Sequence, residues 1–209
     1  DKTTLTADQV GEYTGEQKGM LTAFNRYLCY IQPEAGNKEA MDQFVEVKYA
    51  RARTQFEARH WEEAALGFRD VAINHSDKEV GVFAANLYLE AANILGTRLE
   101  PPKSTCIDDI AKDTPQFIKL YCEGARKSQN EEQCAVFFRV QRDVERLSAE
   151  AAVKECDAGG PNAIERCRAG AQKYLDIWEK YGKEPCEKNQ KDACARNEEV
   201  LYNAAKAFQ

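Results

Sequence analysis

Eight cysteines are the residues of this sequence best equipped for chemistry: Cys29, Cys106, Cys122, Cys134, Cys156, Cys167, Cys186 and Cys194. A thiolate can attack, bind a metal or close a disulfide. No pair has the Cys-x2-4-Cys spacing of a zinc site, and no Cys-x-x-Cys redox motif is present. The number is even. In a reducing cytosol so many thiols would stay unpaired. The disulfide reading is therefore preferred over buried free thiols and over a metal cluster. It places the chain in a periplasm, on a cell surface or outside the cell.

The other reactive groups point away from catalysis. His60 and His75 sit near opposite ends of one expected helix, too far apart to share a metal. His75 lies near a helix C-terminus, where positive charge is favoured. The acidic pairs Asp108-Asp109 and Glu62-Glu63 are sequence neighbours, so on a helix they diverge by ~100°. They read as solvated caps and faces. Nucleophile elbows, phosphate-cradling glycine loops, His-Glu-x-x-His and dinucleotide fingerprints are absent. The expectation is a non-enzyme without cofactor or metal.

Composition narrows the partners. The net charge is −6 and the pI near 5.2, with no basic stripe for a phosphate backbone. No apolar run approaches the ~20 residues that cross a bilayer. Nucleic acid and membrane insertion are set aside, and a protein or peptide partner remains. Apolar residues make up 43%, enough for a packed core. Gly and Pro are scarce, and Ala, Glu, Lys, Leu and Arg dominate, which favours an all-α chain.

Periodicity then places the elements. Residues 1–17 form a polar N-terminal segment with a possible short helix capped by Thr6. Met20, Leu21, Phe24, Leu28 and Ile31 mark a first helix over 16–31. Met41, Phe44, Val45, Tyr49, Ala52 and Phe56 mark a second over 38–58. Trp61, Ala64, Phe68 and Val71 mark a third over 60–74. A fourth runs from a cap at Asp77 to Leu95, lined by Ala84, Ala85, Ala91 and Ala92 and closed by Gly96. Residues 97–114, with Pro101 and Pro102 and room for a short helix over 107–111, read as an irregular seam between two helical halves, 18–96 and 115–209. Thr114 as cap and Pro115 at the first position predict a new helix there. Long helices follow over 132–156 and 161–181. A last one begins near Asp192 and reaches Gln209 uncapped, as though a partner helix were missing; with Asp1 at the start, the sequence reads as part of a longer protein.

Residues 45–96 resemble a degenerate tetratricopeptide repeat. Ala52 fits the small position of the first helix, Phe56 the aromatic near its end, and Trp61, Ala64 and Phe68 the second helix. The usual turn glycine is replaced near Arg59, and the terminal proline by Ser76. The resemblance implies antiparallel helix pairs stacked as a right-handed solenoid, with a concave face near Tyr49, Arg53, Glu57, Asn86, Glu90 and Asn93. A non-repeat helical bundle is the alternative fold.

Disulfides would staple such a stack. Cys122 and Cys134 flank the turn at 128–131, Cys156 and Cys167 flank Gly159-Gly160-Pro161, and Cys186 and Cys194 flank the loop at 188–191. Residues similarly far from a hairpin turn face each other, within reach of the Cα spacing a disulfide needs. Cys29 and Cys106 are left to pair with each other. The expected function is a protein-interaction scaffold in an oxidising compartment such as a bacterial periplasm. The alternatives are a purely structural module of a larger envelope or secreted protein and, behind both, a metal or redox thiol protein.

Overall fold

The computed structural model describes residues 8–34, 36–157, 160–182 and 191–208, without the side chains of 155–157 and 191–197. Every regular element among them is helical. The chain forms two compact units, Asp1–Phe138 and Arg139–Gln209.

In the first unit, α1 (Gly15–Tyr30) opens with a capping box: Thr14 accepts from the Gln17 amide, and the Gln17 side chain accepts from the Thr14 amide. The expected cap at Thr6 lies outside the described residues. Helix α1 packs on α2 (Lys38–Glu57), α2 on α3 (Trp61–Asn74), and α3 on α4 (Val80–Thr97). Helix α2 also touches α4 directly. The connections are short, so sequential neighbours run antiparallel.

The α2–α3 seam is built as its residue sizes suggest. Ala52, Ala64 and Phe68 are fully buried. A methyl group on Gly67 would sit 2.8 Å from the Ala52 Cβ, so the two backbones meet where both side chains are minimal. Phe56 lies edge-on to Trp61 at 5.0 Å and to Phe68 at 5.9 Å.

The turn between them ends α2 as glycine-terminated helices do. Arg59 donates to the Phe56 carbonyl and His60 to that of Gln55. Arg59 holds the left-handed φ of 64° that the motif requires. That conformation costs a non-glycine residue ~1–2 kcal/mol, against up to ~1 kcal/mol of extra unfolded-chain freedom for glycine. Arg59→Gly is therefore expected to stabilise the unit by about 0.5–1 kcal/mol; an unchanged or lowered urea midpoint would contradict this.

An extended N-terminal strap crosses the same turn. The Gly11 amide donates to the Ala58 carbonyl at 3.1 Å. The Trp61 indole donates to the Asp8 carbonyl at 2.7 Å. The Tyr13 ring stacks on His60 at 3.9 Å.

Two sequence expectations about helix ends are corrected. Gly96 does not close α4, which runs on to Thr97. Gly96 instead makes room for Ile107, whose side chain occupies the place a Cβ would take. Asp77 does not cap α4 either; the N-cap is Glu79, without a side-chain bond.

The segment read as a seam is largely helix. Helix α5 spans Thr105–Tyr121 without a break at Pro115. Pro115 and Ala111, whose carbonyl loses its partner, both face solvent, where water can take the bond. Asp113 and Thr114, expected at a helix start, are buried instead. Helix α5 packs on α4. Phe117 meets Tyr88 edge-on at 5.7 Å. The Tyr121 hydroxyl donates to the Ala72 carbonyl at 2.6 Å.

After α5 come the short α6 (Arg126–Gln129) and α7 (Glu131–Asp157). Cys122 and Cys134 form the expected disulfide across this turn, with Cα atoms 5.6 Å apart. Cys29 and Cys106 are not joined. Cys29 is an exposed free thiol on α1, which packs on α2, and Cys106 a half-buried one on α5, which packs on α4. The pairing expected by elimination is therefore not formed. Cys167 is disulfide-bonded; the side chains of Cys156, Cys186 and Cys194, and with them the two remaining expected pairs, lie outside the described residues.

In the second unit, the rest of α7 packs with α8 (Ala163–Ile177) and α9 (Lys191–Ala207). Ala149, Tyr174, Ile177, Val200 and Ala204 form its core, with Val153 and Trp178 against them. A Cβ on Gly170 would lie 3.1 Å from the Val153 amide nitrogen, so α7 and α8 touch backbone to backbone. The expected helix to Tyr181 changes character at Trp178. It winds as a π-turn, Trp178–Gly182, and brings the indole over Gly182.

Candidate functional site

The expected binding residues occupy two helices of the first unit. On α2, Tyr49 is half-buried against Phe68 at 5.6 Å. Arg53 donates to Glu57 at 3.0 Å, both side chains about half exposed. The Arg53 guanidinium, expected to be open to a partner carboxylate, is thus already engaged one turn along its own helix. On α4, Asn86 is half-buried, and Glu90 and Asn93 are exposed. Among the described residues no hydrogen bond or ion pair joins the α2 trio to the α4 trio.

The larger depressions lie beside that face, at the start of α4. One, of about 350 Å³, is lined by Lys38, Asp42 and Glu46 of α2 and by Asp77 to Val80. Lys78 spans it, donating to Asp42 at 2.8 Å and pairing with Asp77 at 3.1 Å. A second, of about 490 Å³, shares Asp77, Lys78 and Glu79 and adds Phe83, Arg126 and Asn130. Phe83 is 44% exposed there. Arg126 donates to the Leu120 carbonyl at 2.9 Å, which fixes the short α6. The sequence reading missed these residues. Phe83 could have been found, because it falls off the alanine stripe of α4; Asp42 and Lys78 meet only through the fold.

His75 belongs to a polar cluster under this region. Lys48 donates to Asp70 at 2.8 Å and lies 3.2 Å from His75 Nε2, and Asn74 donates to Asp70 at 2.8 Å. Burial, and then the Lys48 ammonium, hold the imidazole below its usual range. Burial, with the Lys48 charge behind it, works against the preference for a cation at a helix C-terminus, and His75 Nε2 lies within hydrogen-bond distance of the Lys48 ammonium. This part of the expectation for His75 is reversed.

The charged contact with the most buried carboxylate among the described ion pairs is structural in character. Arg69 of α3 grips Asp113 of α5 with two bonds, 2.6 and 2.9 Å, and the Tyr88 hydroxyl of α4 donates to the same carboxylate at 2.7 Å. Asp113 is 1% exposed. Burial pushes its carboxyl up, but the Arg69 and Tyr88 bonds outweigh burial and hold it below the usual range. Two bonds from α3 and one from α4 meet a residue of α5, so the group ties three helices together.

No arrangement of three His, Cys, Asp or Glu side chains suited to a metal occurs among the described residues. No helix among them is long and apolar enough to cross a membrane. No family model, curated protein or solved structure matches this chain.

Proposed function

We propose that this chain is a non-enzymatic protein-interaction scaffold of the tetratricopeptide type, working in an oxidising compartment such as a bacterial periplasm. The observation that carries the reading is the contact of α2 with α4 across the α2–α3 pair. First helices of successive pairs lie side by side in such a stack, and their shared face is where a partner would dock. Tyr49, Arg53, Glu57, Asn86, Glu90 and Asn93 would supply that face, with the carboxamides of Asn86 and Asn93 offering both donor and acceptor to a peptide backbone. The Cys122–Cys134 bond and the oxidised Cys167 support the compartment.

The test is site-specific photo-crosslinking in the source cells. A benzophenone side chain at position 86 or 93 is expected to trap one and the same partner, and one at exposed Lys119 of α5 is expected to trap none. Absence of any adduct from α4 would favour a purely structural module.

A further inference from the structure

A separate groove runs between α3 and α5, away from the residues assigned above. Its floor and walls are Ala65, Leu66, Tyr88, Ala92, Leu95 and Cys106, and it encloses about 220 Å³. Three further charged side chains line it and each is in an ion pair, Lys103 with Glu62, and Arg69 with the buried Asp113. Leu66 stands on its lip 71% exposed, more than any other large aliphatic side chain described in the first unit. Isolated apolar exposure is ordinary, but here it continues into an apolar hollow. Asp109 also lines the groove and has no ion-pair or hydrogen-bond partner among the described residues. With the four other charges paired two by two, one uncompensated carboxylate is left at the mouth.

We infer that this groove docks a partner segment that places an apolar side chain between Leu66 and Leu95 and sets a lysine or arginine against Asp109. The apolar part supplies the affinity, since burial scales with area removed from water. The carboxylate supplies selection for a basic neighbour, because an anionic one would meet an unpaired like charge. The half-buried Cys106 thiol, raised by burial and then by the Asp109 charge, is consistent with an acidic mouth over an apolar floor.

The inference stands apart from the α2–α4 face and is tested apart from it. The whole chain, methyl-labelled, is titrated with acetyl-Leu-Leu-Lys-amide and with the counterparts carrying Gln or Glu in place of Lys. The lysine peptide is expected to move the Ala65, Leu66, Ala92 and Leu95 methyl signals saturably. It should bind about threefold tighter than the Gln peptide, as one exposed ion pair allows, and the Glu peptide should bind more weakly than both. Asp109→Asn removes that ranking while leaving the Gln peptide unchanged, and Leu66→Ser weakens all three. Both positions are exposed, so neither change touches the core. Equal binding of the three peptides, or shifts confined to other methyls, overturns the proposal. Shifts that depend on protein concentration alone overturn it in favour of a second copy of the chain.

Discussion

Arg69→Met is expected to destabilise the first unit by about 2–4 kcal/mol. Removing one partner of a buried ion pair typically costs ~3–5 kcal/mol, because the other charge stays buried and unpaired. The lower range applies here because the Arg69 side chain is 42% exposed, and part of its attraction is already screened. Asp113→Asn should cost less, about 1–3 kcal/mol, since it removes the buried charge along with the bidentate grip. The two variants should not be additive, because each removes the same contact.

The pH dependence follows from the direction of the Asp113 shift. Its folded pKa lies below the unfolded value, so the folded state releases this proton more readily. The stabilisation is present above the unfolded pKa, near 4, and is lost as pH falls through the folded pKa. Urea midpoints between pH 7 and 3 should fall for the native chain and fall less for Asp113→Asn. If Arg69→Met and Asp113→Asn each changed the unfolding free energy at neutral pH by under ~0.5 kcal/mol, the three-helix tie would carry no stability.

Loss of the Cys122–Cys134 bond is the second large effect. Its sequence separation of 12 corresponds to about 2.5–3 kcal/mol of unfolded-chain entropy. Both sulfurs are buried, so a double alanine variant also leaves packing unfilled. A drop of roughly 6–12 °C in melting temperature is expected for a unit of this size. The damage should concentrate on residues 123–134, where α6 is a single turn and forms the Arg126–Asn130 wall of the larger depression. A reduced chain that melts within a degree or two of the oxidised one would show that α5 and α7 hold this turn unaided.

The sequence was informative where one local rule decided. The apolar spacing of α2 and α3 marked residues of their buried faces, Val45 and Ala52 on one and Ala64, Phe68 and Val71 on the other. The Arg59 turn could be located as the place where a glycine was missing. The Cys122–Cys134 pair followed from its turn. Pro115 misled because Asp113-Thr114-Pro115 is a good helix start when read alone. Arg69, 44 residues away, makes Asp113 a core residue instead, and no local pattern announces such a partner. The Cys29–Cys106 pairing failed because it came from counting rather than geometry. The face near Tyr49 and Asn86 rested on the repeat resemblance alone, whereas the Asp42–Lys78 crossing depends on where the α3–α4 turn falls. The strap was invisible for another reason: Asp8 and Gly11 act through backbone atoms, which every residue has.

That strap supplies two built-in reporters of one local equilibrium. The Gly11 proton, held on the Ala58 carbonyl, exchanges with solvent when the strap lifts. The Trp61 indole loses its Asp8 acceptor in the same event. Slow exchange at Gly11 and the Trp61 emission maximum therefore follow peeling of the N-terminal edge at free energies below that of global unfolding. Tension applied to residues upstream of Asp8 would reach the α2–α3 turn before it reached the core.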